Sequence, residues 1–461
     1  MSETAAVMTF HPQPQAGEPK PWAFPAPERS TLGNGLALLT CHRPGQQVIA
    51  VEVLLDAPLD AEPEGLDGVG TIMARALSEG TDEHTAEEFA AELERCGATL
   101  DAHADHPGVR VSLEVPVRRL DKALGLLAEA LRAPAFPEDE VKRLVANRLD
   151  EIPHELANPS RRAAMALSKE LFPAELRCSR PRQGTEQTVR NIDAAAVRAF
   201  YAAHVRPATA TAVVVGDLAG IDLPALLDGT LGRWTGTPGT PRPRPAITAD
   251  DTSRVVIVDR PGSVQTQVLV GRTGGDKHDP VWAAQVLGTY CLGGTLTSRL
   301  DRVLREEKGY TYGVRAFAQV LLSNADGTGA ALLGISGSVA TEVTGPALAD
   351  AWQVIRTLAA EGLTDDERDV AVQNLVGVAP LRYETAAAVA GTLLDQVEQQ
   401  LPDDFQAGMY ARLAATGTVE ATAAVVNAFP LDRLVVVLVG DASKIADPVR
   451  ELGIGPVAVI S

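Results

Sequence analysis

Thr211–Asp217 reads TAVVVGD, and Val435–Asp441 reads VVVLVGD. Each is a short run of apolar, mostly β-branched residues ending in Gly-Asp, and each reads as a strand that closes its half of the chain. Two more pairs keep the same order and nearly the same separation. Arg43-Pro44-Gly45 follows the apolar stretch LALLTCH, and Arg260-Pro261-Gly262 follows RVVIVD. Phe136-Pro137-Glu138-Asp139-Glu140 opens one long helix, and Leu363-Thr364-Asp365-Asp366-Glu367 opens another. Three matches in the same order, with separations that agree to within about ten residues, imply an internal duplication.

Working outward, the first half reads as strands at 36–42 and 48–55 and helices at 68–78 and 85–96. The second of those helices opens on a capping box of Thr85 with Glu88 and ends at Gly97. Strands at 99–103 and 109–115 follow. Helices are then expected at 117–131, at 138–149, after Pro159 and at 193–204, before the strand at 211–215. The second half repeats the order, with strands near 254 and 267, helices near 280 and 300, strands at 310–320 and 330–338, several helices, and a strand at 434–439. Thr364 and Glu367 supply a second capping box. Paired strands alternating with paired helices predict an α+β fold rather than a doubly wound parallel sheet. The expected architecture is two tandem homologous domains, each a mostly antiparallel sheet with helices packed on one face. Residues 1–29, rich in Pro, Gln and Glu, read as an N-terminal arm. Residues 30–232 and 253–461 read as the two domains, and 233–252, which includes GTPGTPRPRP, as the linker.

The 461 residues carry a formal net charge of −19, which argues against nucleic acid or an anionic membrane as a partner. No apolar run approaches the roughly 18 residues a membrane span needs. The N-terminus has neither a basic region nor an apolar stretch of signal-peptide type, so the cytoplasm is the expected location. Cys41, Cys96, Cys178 and Cys291 are far apart with no C-x-x-C pair, which points to free thiols rather than a disulfide framework or a cysteine zinc cluster. The Gly293-Gly294 turn lacks the GK[ST] of a phosphate loop.

Two stretches carry candidate chemistry. Gly65–Thr81 reads GLDGVGTIMARALSEGT, and Leu292–Phe317 reads LGGTLTSRLDRVLREEKGYTYGVRAF. Together they resemble the pitrilysin/insulinase family of zinc peptidases, to which the mitochondrial processing peptidase is related. The resemblance spans about residues 30–445. The family carries an inverted zinc motif, H-x-x-E-H, in the first stretch; on a helix, histidines at i and i+4 share a face and can ligate one zinc. Aligned on Gly80-Thr81, the three motif places fall on Thr71, Ala74 and Arg75. Thr71 is a poor neutral ligand, Ala74 cannot act as a base, and Arg75 repels a cation. The family's third ligand is a glutamate on a later helix, and Glu151 lies at the separation from Arg75 where that ligand is expected. The second stretch resembles the family's C-terminal signature, whose substrate-binding arginine and tyrosine lie seven apart. That spacing selects Arg305 and Tyr312, with Tyr310 a neighbouring candidate. A guanidinium there suits peptide carbonyls, and a phenol suits a developing oxyanion.

The resemblance thus implies a chain without a metal of its own. It would be the zinc-free subunit of a heterodimeric metallopeptidase, inactive alone. A homologous partner would supply zinc and the general base, and Arg305 and Tyr312 would complete the site for a peptide substrate. The alternative is a catalytically inactive structural or peptide-binding homologue. A third reading rests on Asp101, His103, Asp105 and His106 (DAHADH), where residues 101, 103 and 105 would share one strand face as an independent metal site.

Overall fold

The strands TAVVVGD and VVVLVGD occupy the same place in two six-stranded sheets. In a computed structural model, residues 22–239, 242 and 244–460 are described. Most of the expected arm, residues 1–21, lies outside them, as do 240, 241 and 243 of the expected linker. The first sheet contains β1 (Glu28–Thr31), β2 (Ala37–His42), β3 (Val48–Leu55), β4 (Thr99–Asp105), β5 (Gly108–Pro116) and β6 (Thr211–Gly216), in the order β1-β2-β6-β3-β5-β4. The second contains β7 (Arg254–Asp259), β8 (Gln265–Gly274), β9 (Thr311–Leu322), β10 (Ala330–Ala340), β11 (Val435–Gly440) and β12 (Val457–Ile460), in the order β12-β7-β11-β8-β10-β9.

The duplication extends to strand direction. β2 pairs in parallel with β6, and β7 with β11, while β3 and β8 run antiparallel to their neighbours on both sides. Only the outermost strands differ: β1 comes from the start of the first half and joins antiparallel, whereas β12 comes from the end of the second and joins in parallel. β11 is buried along its whole length, which its unbroken Val/Leu run anticipates, because an inner strand covered on both faces has no place for a polar alternation. The two capping boxes form as expected, with Thr85 accepting from the Glu88 amide and Thr364 from the Glu367 amide.

Each half packs its own helices on one face of its sheet. In the first half, Ile49, Val51, Val53 and Leu55 of β3 meet Ile72, Met73 and the helix Leu120–Arg132. The opposite face of each sheet is covered by a helix from the other half. Ala386, Val389, Ala390, Leu393 and Leu394, on the helix Ala386–Glu398, lie on Ala50, Leu54, Val213 and Val215. Reciprocally, Ala163, Leu167 and Leu171, on the helix Pro159–Leu171, lie on Val258, Leu269, Val435, Val437 and Val439. Full burial of each large aliphatic side chain is worth about 1.5–3 kcal/mol, so this exchange couples the two halves strongly. A polar clasp reinforces it. Arg110 of β5 donates to Asp395 at 2.5 Å and to Glu398 at 2.6 Å, both on the exchanged helix.

Candidate functional site

The helix Val69–Ala76 carries the three motif positions. It begins at Gly68, whose φ of 102° is a left-handed conformation open to glycine, and a Cβ there would come within 2.8 Å of the Gln183 carbonyl oxygen. The amides of Gly68 and Gly70 both donate to Glu62 Oε1 at 3.0 Å, and Glu62 is in turn held by buried Arg177 at 2.8 Å. This anchors the helix start. The face of the helix is then set by burial: Thr71 and Ala74 are buried, and Arg75 is half-buried.

Arg75 reaches the long helix Glu138–Ala157 and meets Glu151 as a two-pronged fork, Nη1 to Oε1 at 2.8 Å and Nη2 to Oε2 at 3.0 Å. Arg148, 1% exposed, donates to Glu151 at 3.1 Å and to Glu155 at 2.7 Å, and its Nε donates to the Gln183 carbonyl at 3.2 Å. Burial disfavours the Glu151 carboxylate, but hydrogen bonds and charge from Arg75 and Arg148 outweigh it and hold its pKa below the usual range. Thr71 Oγ1 is buried without a hydrogen-bond partner among the described residues.

These residues do not fit zinc. Both oxygens of Glu151 are taken by the guanidinium of Arg75, the residue that the sequence alignment sets at the second histidine of an inverted motif. Among the described residues no group of three or more His, Cys, Asp and Glu side chains is placed to hold a metal ion. That includes the DAHADH segment. Asp101 and His103 are exposed on the edge strand β4, while Asp105 takes the Arg182 guanidinium at 2.8 Å and the His106 amide. His106 sits beyond the strand end, where burial pushes its pKa down to about 4, so the four residues do not converge. The reading of this segment as an independent metal site is therefore overturned.

Arg305 and Tyr312 lie in the second half. The helix starting at Arg299 continues as a π-helical turn, Arg302–Glu307, and ends at Gly309, where φ is 66° and the amide donates to the Arg305 carbonyl. β9 begins two residues later. Buried Asp301 ties the two together by accepting from the Val314 amide at 2.7 Å and from Arg315. Arg299 forks onto Glu367 at 2.6 and 2.7 Å, fixing the turn against the capped helix Asp365–Gly377. Tyr310 packs against the core, whereas Tyr312 on edge strand β9 is 91% exposed. Arg305 is half-buried, with its Nε 3.5 Å from Glu306. Among the described residues no hydrogen bond or ion pair joins Arg305 or Tyr312 to the Arg75–Glu151 group.

Sequence reasoning missed Arg148 and Asp301. Arg148 stands one helical turn before Glu151, and that i, i+3 spacing is the signal that could have found it. Asp301 offers none, since its role depends on a strand that begins at Thr311.

Comparison with known proteins gives consistent matches. Residues 38–179 match the family model described as insulinase (peptidase family M16), and residues 191–375 match the one described as peptidase M16 inactive domain. An uncharacterized zinc protease of Streptomyces coelicolor is 25% identical over 402 residues, covering 84% of each chain. A non-peptidase homolog, YmxG, of Helicobacter pylori is 24% identical over 348 residues, covering 73% of this chain and 76% of that one. A solved peptidase M16 inactive domain from Pseudomonas fluorescens has the same fold, with a TM-score of 0.80 at 22% identity over 90% of this chain and 98% of that one. With the two matches running in order through most of the chain, and the altered motif helix lying inside the first of them, this chain belongs to the pitrilysin/insulinase (M16) peptidase family.

Proposed function

We propose that this chain is a catalytically inactive M16 homologue that binds peptide without cleaving it. The observation that carries this reading is the Arg75–Glu151 fork, which puts a guanidinium and an engaged carboxylate where a metal and its ligand would be needed. The rest of the fold is kept. Edge strands β4 and β9 offer backbone groups to an extended peptide, and an edge strand is a ready template for such pairing.

A second reading is favoured by one specific observation, the near-complete exposure of Tyr312 on edge strand β9. In that reading Arg305 and Tyr312 complete the site of a homologous zinc-bearing subunit, as in two-chain relatives of the mitochondrial processing peptidase. The tyrosine would then donate to the oxyanion, and the arginine would hold the peptide backbone.

One experiment separates the two. Zinc content and peptide hydrolysis are measured for this chain alone, and then for its mixture with a homologous H-x-x-E-H chain from the same source. A metal-free, inert chain that leaves the other chain's rate unchanged, yet binds peptide, supports the inactive homologue. A mixture faster than the zinc-bearing chain alone supports the two-chain peptidase. Stoichiometric zinc with hydrolysis by the isolated chain refutes both.

A further inference from the structure

The turn that leaves the motif helix is stapled to the end of the helix Leu120–Arg132. The Gly80 carbonyl accepts from the Ala135 amide at 3.1 Å, and the Asp82 amide donates to the Ala133 carbonyl at 3.0 Å. The Thr81 amide closes the turn on the His84 carbonyl at 2.8 Å. Thr81 Oγ1 accepts from the amides of Glu83 at 3.2 Å and His84 at 3.0 Å, and it donates its one proton to Glu129.

Glu129 is the polar centre of this staple. Its side chain is 6% exposed, and Oε1 also meets His84 Nδ1 at 2.8 Å. Among the described residues no lysine or arginine pairs with Glu129. The cations on the neighbouring elements are engaged elsewhere: Arg132 with Glu83 at 2.7 Å, Lys122 and Arg95 with Glu92, and Arg143 with Glu79 and Glu140 at 2.6 and 2.8 Å. A buried carboxylate left without a counter-charge is costly, and an imidazole supplies that charge only when protonated. Neutral His84 can still donate from Nδ1, but to a charge it no longer balances.

The charged groups that face His84 are Glu129 and, on the helix Ala86–Cys96, Glu88 and Glu92; Phe89 of that helix lies edge-on to the imidazole. The hydrogen bond to Glu129, opposed by burial and assisted by the three carboxylate charges, raises the His84 pKa above its ordinary value of 6.5. The sign follows. The pair's contribution to stability is complete below the unfolded histidine value, about 6.5, and is lost as the pH rises through the raised folded value.

We propose that His84 and Glu129 form a pH-sensitive latch, closed while His84 is protonated, that holds the exit of the motif helix and loosens as the pH becomes alkaline. The hydrogen bonds of the turn run to residues 129–135 and to none of the strands of the first sheet, so release loosens the turn and leaves the sheet in place. The proposal is independent of whether the protein binds or helps to cleave peptides.

The test is hydrogen exchange of the full chain at about pH 5.5 and about pH 8.5, on either side of the ordinary histidine value, corrected for the intrinsic pH dependence of exchange. Protection of the amides of Thr81, Asp82, Glu83 and His84 should fall about fivefold at the higher pH, the upper end of what a partly exposed ion pair contributes, while protection of β3 stays constant. His84→Gln keeps a donor and removes the titration, so its protection should be the same at both pH values. Glu129→Gln should return the His84 titration, read from the ring C2 hydrogen, toward the ordinary value. Wild-type protection of the turn that is equal at both pH values, a fall in His84→Gln as large as in wild type, or a wild-type His84 that titrates at or below the ordinary value would overturn the proposal.

Discussion

Replacing Arg75 by methionine isolates the contact that stands in place of the metal. Methionine keeps much of the apolar stem and removes the guanidinium, so two hydrogen bonds of 2.8 and 3.0 Å to Glu151 are lost. The pair is partly open to water, with side chains 28% and 41% exposed, so solvent screens it. A fully exposed ion pair is worth about 0.2–1 kcal/mol and a charge-assisted hydrogen bond about 1.5–3 kcal/mol, which brackets this bidentate contact near 1 kcal/mol. For a domain of this size that corresponds to a fall in melting temperature of about 2–4 °C. The pH dependence has a definite sign. Glu151 has a lowered pKa in the folded chain, so its contribution is complete above the unfolded carboxylate value, about 4.3, and disappears as pH falls through the folded value. Thermal melts of wild type and Arg75→Met should therefore differ at pH 7, and the difference should shrink as pH falls below the unfolded carboxylate range and vanish once it has passed the lowered Glu151 value. Equal stability at pH 7, or a difference that persists undiminished at pH 3, would show that the fork does not hold the two helices together.

Rebuilding the motif with Thr71→His, Ala74→Glu and Arg75→His releases Glu151 from Arg75, leaving Arg148 on Oε2 alone, and should produce binding of one zinc per chain by metal analysis after dialysis; a metal-free triple variant with a native melting profile would count against the assignment of these positions. If the two-chain reading holds, Tyr312→Phe should slow the assembled enzyme about 100- to 1000-fold, the range for losing one oxyanion donor, while its 91% exposure leaves stability unchanged. Leu393→Ala, on the exchanged helix, should destabilise the protein by about 2–5 kcal/mol, as buried leucine truncations do. Hydrogen exchange should register that loss in β3 and β6 of the first half, although the residue belongs to the second; protection changes confined to the second half would contradict the exchange.

The chain's periodicity and local chemistry were enough for much of the architecture. TAVVVGD and VVVLVGD carry their own strand signal. Thr85 with Glu88 and Thr364 with Glu367 meet within one helical turn, so their capping boxes depend on nothing distant. Order and offset of such local signals established the duplication, and the residues at 71, 74 and 75 by themselves exclude an inverted zinc motif. What lay beyond reach were contacts between segments far apart in the chain. The apolar positions 163, 167 and 171 mark an amphipathic helix, but that it covers the sheet of the other half is decided by how the two domains pack. Arg75 and Glu151 are distant in sequence, and the fork exists because two separate helices bring a guanidinium and a carboxylate to 2.8 Å. The same holds for the exposure that separates Tyr312 from Tyr310 and for the contact between His84 and Glu129. Hydrophobic periodicity is written residue by residue along the chain, whereas charge pairing and exposure are settled only where segments converge, so the sequence determined the elements and the missing zinc motif, and the tertiary structure decided what occupies its place.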